Sequence, residues 1–335
     1  MLRAPRLHPR ARALPVVLAA AVALVGSVAL PSSTATAAPA GCPTATVTVA
    51  DGPQLKKALK AARAGTTIAL ANGTYAGPFT LERSGRAGKP VRLCGGRGAV
   101  LQGKGIKGYT LHLEGVHHVE VRGLTIRGGL KGLVADRTSS SLFKGLLIER
   151  TGQEALHLRT FSSRNTVTGN TIRKTGLKDP KFGEGIYIGS AESNWGRYTG
   201  GKPDRSDYNV VSGNTISATT AENVDIKEGT TGGRLVGNRF DATGMSKNPK
   251  DADSWVDVKG NGWVISGNVG RGAKRDGFQT HVILPGWGKD NVFTANKATV
   301  VGSGYAFRLD TDEPNTLRCD NTVSGGAELS NVACS

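Results

Sequence analysis

The sequence is poor in aromatic residues, at 5%, and only 38% of it is apolar. That excludes a multi-span membrane protein, while the apolar share is too high for a disordered chain. Beyond residue 38 no long apolar run occurs, so the remainder is expected to be soluble. The four cysteines include no CxxC pair, and a zinc site is not expected. His117-His118 reads as a turn pair rather than a metal site. Acidic residues are absent from the first 38 positions.

Those 38 positions hold Arg3, Arg6, Arg10 and Arg12, then the apolar run Leu14 to Leu30, then the small residues Ala35-Thr36-Ala37. This order predicts a secretory signal over 1–38, leaving one domain over 39–335 and an extracellular protein. In an exported chain Cys42, Cys94, Cys319 and Cys334 suggest disulfides. Three pairings are open, and joining Cys42 to Cys94 and Cys319 to Cys334 would staple the two ends of an elongated fold. Without the signal, 39 basic and 26 acidic residues leave a charge of about +13. Such a charge favours a polyanionic partner. Export and the lack of a nucleic-acid motif argue against DNA or RNA. An acidic polysaccharide is the expected partner, with no membrane contact after signal removal and a monomeric protein.

A short strand motif recurs along the chain. Its copies begin at Leu111, Leu133, Leu156, Ile186, Val224, Val256, Phe278 and Phe307, with spacings of 22, 23, 30, 38, 32, 22 and 29 residues. A basal period near 22 with insertions predicts an all-β fold: a single-stranded, right-handed parallel β-helix with one coil per repeat. Asn170, Asn214, Asn238, Asn268, Asn296 and Asn321 recur in matching turns and predict an internal asparagine ladder. The apolar spacing of Leu55, Ala58, Leu59 and Ala62, with Pro53 before it and Gly65 after, predicts an amphipathic helix capping the N-terminal end.

In a strand, alternate residues share a face. With the apolar residues turned inward, three outward columns emerge. The leading one reads Glu154, Glu184, Glu222, Ser254, Asp276; the middle one His157, Tyr187, Asp225, Asp257, Gln279, Arg308; the trailing one Arg159, Gly189, Lys227, Lys259, His281, Asp310. Coils stack about 4.8 Å apart, so Glu222, Asp225, Lys227, Asp257, Lys259 and His281 form a dense ionisable lattice. The longest insertions, Glu192 to Asp207 and Met245 to Ser254, belong to the same coils and suit the walls of a groove. Trp195, Tyr198, Trp255 and Trp287 lie in or beside such loops and suit sugar stacking; with them Asp225, Asp257, Tyr187, His281 and Arg308 are candidates to contact the substrate.

Paired lysines disfavour each other's charge, whereas flanking acids favour it. The sequence leaves that sign open. A lysine base beside a cation suits β-elimination of a uronic-acid polymer, in which the base takes the C5 proton and a second group protonates the departing oxygen.

The opening Gly65-Thr-Thr-Ile-Ala-Leu-Ala-Asn-Gly-Thr-Tyr75, followed by Ser84-Gly-Arg-Ala-Gly-Lys-Pro90, is similar to the first coils of secreted parallel β-helix polysaccharide lyases of the chondroitinase-B and alginate-lyase type. Glu222-Asn-Val-Asp-Ile-Lys227 resembles their acid-x4-Lys strand. The resemblance implies a lyase with Lys227 as base and Glu222 as a calcium ligand; Glu184, one coil back, is the second metal candidate. Val256-Asp-Val-Lys259 resembles the strand whose basic residue acts as acid or charge stabiliser, usually arginine. The family's other metal carboxylate falls on Thr220.

Two alternatives remain from the residues alone. Asp225 and Asp257 on neighbouring coils suit the pair of a β-helix glycoside hydrolase or a uronate epimerase, although the Asp-Asp and Gly-His-Gly patches of polygalacturonase-like enzymes are missing. A non-catalytic polysaccharide-binding β-helix would keep lysines and aromatics without a base.

Overall fold

The computed structural model describes residues 1–2, 42–246 and 252–335. Nearly all of the expected signal segment, and the middle of the Met245–Ser254 insertion, lie outside the described residues. Short strands of two to six residues wind into a parallel β-helix with sheets of eleven, ten and ten strands. Every pairing between those strands is parallel, from one coil to the next (for example Val224 with Val256).

The register is the one the sequence period predicts. Leu111, Leu133, Leu156, Ile186, Val224, Val256, Phe278 and Phe307 pair in series along one sheet. Alternation then sorts each strand: Val224 and Ile226 are buried in the core while Asp225 between them turns to the opposite face. Each large aliphatic side chain so buried contributes about 1.5–3 kcal/mol. Because both neighbours of a coil are other coils, the strands need no length of their own.

The turns are held by the asparagines. The backbone N–H of Asn170 donates to Oδ1 of Asn214, and the pattern repeats through Asn238, Asn268, Asn296 and Asn321 at 2.9–3.0 Å. Each of these side-chain amides also donates to a carbonyl, as Asn238 Nδ2 does to Val211 at 3.0 Å. A buried turn would otherwise strand these polar groups. The same device occurs at a second corner, where Asn165 pairs with Asn209 and Asn291 with Asn315.

A helix at Gly52–Ala61 lies at the N-terminal end. Asp51 caps it by accepting from the Gln54 N–H at 2.8 Å, Pro53 occupies its first turn, and Leu55 and Leu59 are buried in the same apolar core as the first coils. Disulfides join Cys42 to Cys94 and Cys319 to Cys334.

Candidate active site

The three polar columns lie on one face of the sheet that runs through Leu156–Arg159, Ile186–Ile188, Val224–Ile226, Val256–Val258 and Phe278–Thr280. Register sets Tyr187 beside Asp225, Asp225 beside Asp257, and Asp257 beside Gln279. Gly189 stands in the trailing column next to Lys227, with a left-handed φ of +82°. A Cβ there would lie 2.7 Å from the Thr230 methyl and 3.3 Å from Lys227 Cβ, so only glycine leaves room for that lysine.

The ionic groups form one chain of contacts. Lys227 Nζ lies 2.7 Å from Asp225 Oδ2, and Lys259 Nζ lies 2.9 Å from Asp225 Oδ1. Lys259 also bonds Asp257, whose other oxygen meets His281 Nδ1 at 2.7 Å. Asp225, Asp257 and Lys259 are buried, Lys227 is partly so, and His281 is the most open member. On its other side Lys227 points at Tyr187, with Nζ 5.0 Å from the ring centroid. Tyr187 leans on His157, whose Nε2 donates to the Gly189 carbonyl at 2.9 Å.

This geometry fixes the sign that the sequence left open. Burial works against the charge of Lys227, yet the contact with Asp225 outweighs it and raises the pKa. Lys259 is treated the same way by burial, Asp225 and Asp257. Both are therefore ammonium ions at rest, the attraction of the shared Asp225 carboxylate outweighing burial at each. Burial would raise the Asp257 carboxyl, but Lys259 and His281 hold it well below the usual range. Burial, with Asp225 and Glu184 nearby, pushes the Tyr187 phenol well up, so it keeps its proton.

Beside this chain lies a knot of acids. Glu184, Glu222 and Asp225 each bring a carboxylate oxygen within 4.8 Å of the others. Burial and the neighbouring carboxylates Glu154, Glu222 and Asp225 raise Glu184 well above its ordinary value; burial and Asp225 push Glu222 up to about 8. Glu184 Oε2 is buried with no hydrogen-bond partner. A set of hard oxygens with an orphaned carboxylate atom fits calcium. Thr220 brings no carboxylate, and its hydroxyl donates to the Pro180 carbonyl at 2.8 Å; Asp225 supplies the third carboxylate instead. A second trio, His112, Glu114 and Asp136, is already matched by Arg137 and Arg159.

The tryptophans divide. Trp255 is a correction: it is 0% exposed, packs on Phe278 in the core and touches no groove. A Cβ on Gly270 or Gly277 would come within 2.3 and 2.7 Å of its ring, so those glycines make its cavity. Trp195 is likewise buried, donating from Nε1 to the Ser190 carbonyl at 2.9 Å, and anchors its loop rather than lining a rim. Trp287 remains partly exposed in the loop after His281. Arg308 is exposed and pairs with Gln279 in register, two coils beyond Asp257.

Tyr198, expected as a loop aromatic, borders a cleft floored by Glu154, His157 and Tyr187, and with it stand Phe182 and Arg197, which the columns do not contain. They sit on insertions, where strand periodicity carries no signal. The loop bearing Arg197 is pinned by buried Glu228, which accepts from the Glu192 N–H at 2.6 Å, and by Asp204, which accepts from the N–H groups of Thr160 and Phe161.

No protein-family model and no curated protein matches the chain. Among solved structures it is similar to an alginate lyase from Paenibacillus sp. str. FPU-7, with 35% identity and a TM-score of 0.81 over 87% of this chain and 99% of that one. It shares its fold with pectate lyase Pel9A, at 16% identity and a TM-score of 0.63 over 83% and 72% of the two chains. It also shares it with the periplasmic alginate epimerase AlgG, at 12% identity and a TM-score of 0.56 over 78% and 60%. The first likeness spans most of this chain and essentially the whole of its partner, and on that ground the chain belongs to the family of the Paenibacillus enzyme and is a parallel β-helix polysaccharide lyase.

Proposed function

We propose that this lyase cleaves a uronic-acid polysaccharide by β-elimination, with alginate as the first substrate to test and Lys227 as the base. The observation that carries the reading is the pairing of Lys227 with Tyr187 on adjacent coils. A lysine and a neutral phenol placed so would flank one sugar linkage. Lys227 as its free amine takes the C5 proton of the uronate. The C5–H electrons form the C4–C5 double bond, the C4–O bond breaks, and the departing oxygen takes the Tyr187 proton. Lys259 was expected as acid or charge stabiliser. Enclosed by Asp225 and Asp257, it is assigned the task of fixing Asp225, and through it Lys227.

Glu184, Glu222 and Asp225 would hold a calcium ion. Once bound, that ion supplies neutralisation of their mutual repulsion and polarisation of a uronate carboxylate. The hydrolase reading needs Asp225 and Asp257 as a free acid and base; both are instead bound to lysine. The high positive charge favours a polyanionic chain reaching the groove. Secretion is supported by the two disulfides and by the basic, apolar and small-residue order of the first 38 positions. Among the described residues no helix is long and apolar enough to cross a membrane.

The test is a panel of alginate, pectate, glucuronan and glycosaminoglycans read by the ultraviolet absorbance of unsaturated uronate. Rising absorbance with one of them supports the reading. New reducing ends at flat absorbance would overturn it, as would solvent exchange at C5 without chain cleavage, the mark of an epimerase. Loss of rate with chelator, restored by calcium, supports the metal assignment.

A further inference from the structure

The cleft of about 310 Å³ next to Tyr187 has a charge balance that the elimination step leaves unused. It runs over the coils of Tyr187 and His157, which precede the coil of Lys227 on the same sheet. Coils are spaced about 4.8 Å apart, close to the length of one sugar residue. A polymer laid along the stack of coils would place there the sugars one and two places from the bond being broken.

Three cations border it. Lys131 is bonded to Glu154. Arg159 is held by Asp136, Nε to Oδ1 at 2.7 Å and Nη2 to Oδ2 at 3.1 Å. Arg197 has no acidic partner among the described residues; its contact is with the Tyr198 ring, 5.1 Å from guanidinium carbon to centroid. Arg159 meets the same ring, with its guanidinium carbon 4.1 Å from the centroid. Tyr198 thus contacts both guanidinium groups, and its loop is pinned by Glu228 and Trp195. Arg197 is an exposed but pre-positioned cation. Phe182, 42% exposed, stands on a separate insertion bordering the same cleft.

We propose that Arg197 is a specificity-determining residue: it reads the carboxylate of a uronate two places from the scissile bond, with Tyr198 and Phe182 flanking that sugar. The enzyme then demands an acidic sugar at a position where no bond is broken. Esterified or reduced sugars there are rejected, since they leave a guanidinium without its anion. This deepens the proposed function and rests on its uronic-acid substrate.

Arg197→Ala and Arg197→Lys test it in two assays. In turnover of a uronate hexamer, Arg197→Ala is expected to raise KM about tenfold or more, the scale of one charge-assisted hydrogen bond, with kcat within about twofold. Arg197→Lys recovers part of that loss, and high salt narrows the gap. In binding of the hexamer to a Lys227→Ala background, the added Arg197→Ala change weakens affinity by a similar factor. It leaves binding of the carboxyl-reduced hexamer unchanged. Equal affinity with and without Arg197, or equal weakening for the reduced oligomer, overturns the proposal whatever the chemistry. Weakened binding of the acidic oligomer alone, with no unsaturated product from the intact enzyme, upholds this subsite and overturns the elimination.

Discussion

Asp225 grips Lys227 with one carboxylate oxygen at 2.7 Å and gives the other to Lys259 at 2.9 Å. This one acid therefore favours the protonated form of both lysines, with Asp257 adding to its effect on Lys259, and holds Lys227 in place. Removing it would leave two ammonium groups in a largely buried site.

Asp225→Asn should accordingly cost about 3–5 kcal/mol of stability, as breaking a buried ion pair usually does. The same change removes the charge that holds Lys227 protonated. Chemical denaturation measures the first effect. An unchanged midpoint would show that the ion chain is solvated after all.

Lys227→Ala should lower kcat/KM about 10²–10⁴-fold, the range for a proton-transfer group. Tyr187→Phe, which deletes one hydroxyl, should reduce kcat by a comparable factor with little change in KM. Lys227 has its pKa raised, so its free amine is scarce at neutral pH and grows as pH rises. The rate of the intact enzyme should climb toward alkaline pH; a rate that falls over that range would remove Lys227 from the base role.

Trp255→Ala should destabilise the protein by about 3–5 kcal/mol, since it empties the cavity made by Gly270 and Gly277. Trp287→Ala should leave the melting temperature nearly unchanged. A Trp255 variant that melts normally but binds polymer poorly would restore the sugar-contact reading.

Acid should loosen the fold through Glu154. Burial opposes its charge, but His157 and Lys131 bring its pKa down to about 2. An unfolded glutamate titrates near 4.3. The folded group's stabilisation is therefore complete above that value and is lost as pH falls from about 4 toward 2. Thermal melts across that window should show the loss, reduced in Glu154→Gln. Parallel curves for the two proteins would assign the acid sensitivity elsewhere.

The coil register and the first asparagine ladder were legible because both follow from period-two alternation and a repeat near 22 residues. Trp255 misled for a related reason. From Leu156 to Phe278 the residue before each aligned strand is Ala155, Gly185, Asn223, Trp255 or Gly277, all buried at a bend. That column of mostly small side chains marks an inward position, and Trp255 fills it where Gly277 on the next coil leaves space. The sharing of Asp225 between two lysines depends on side-chain rotamers, which no spacing encodes. Arg197, Tyr198 and Phe182 depend on how insertions fold back across the face.

The ladder from Asn170 to Asn321 gives each asparagine between its ends the same two partners, one ahead and one behind. Any interior coil is thus interchangeable at its corner with its neighbours. Duplication or loss of a whole coil would preserve the hydrogen bonding while lengthening or shortening the trough by one sugar. The architecture lets polymer reach be tuned in whole-residue steps, leaving the reacting coils undisturbed.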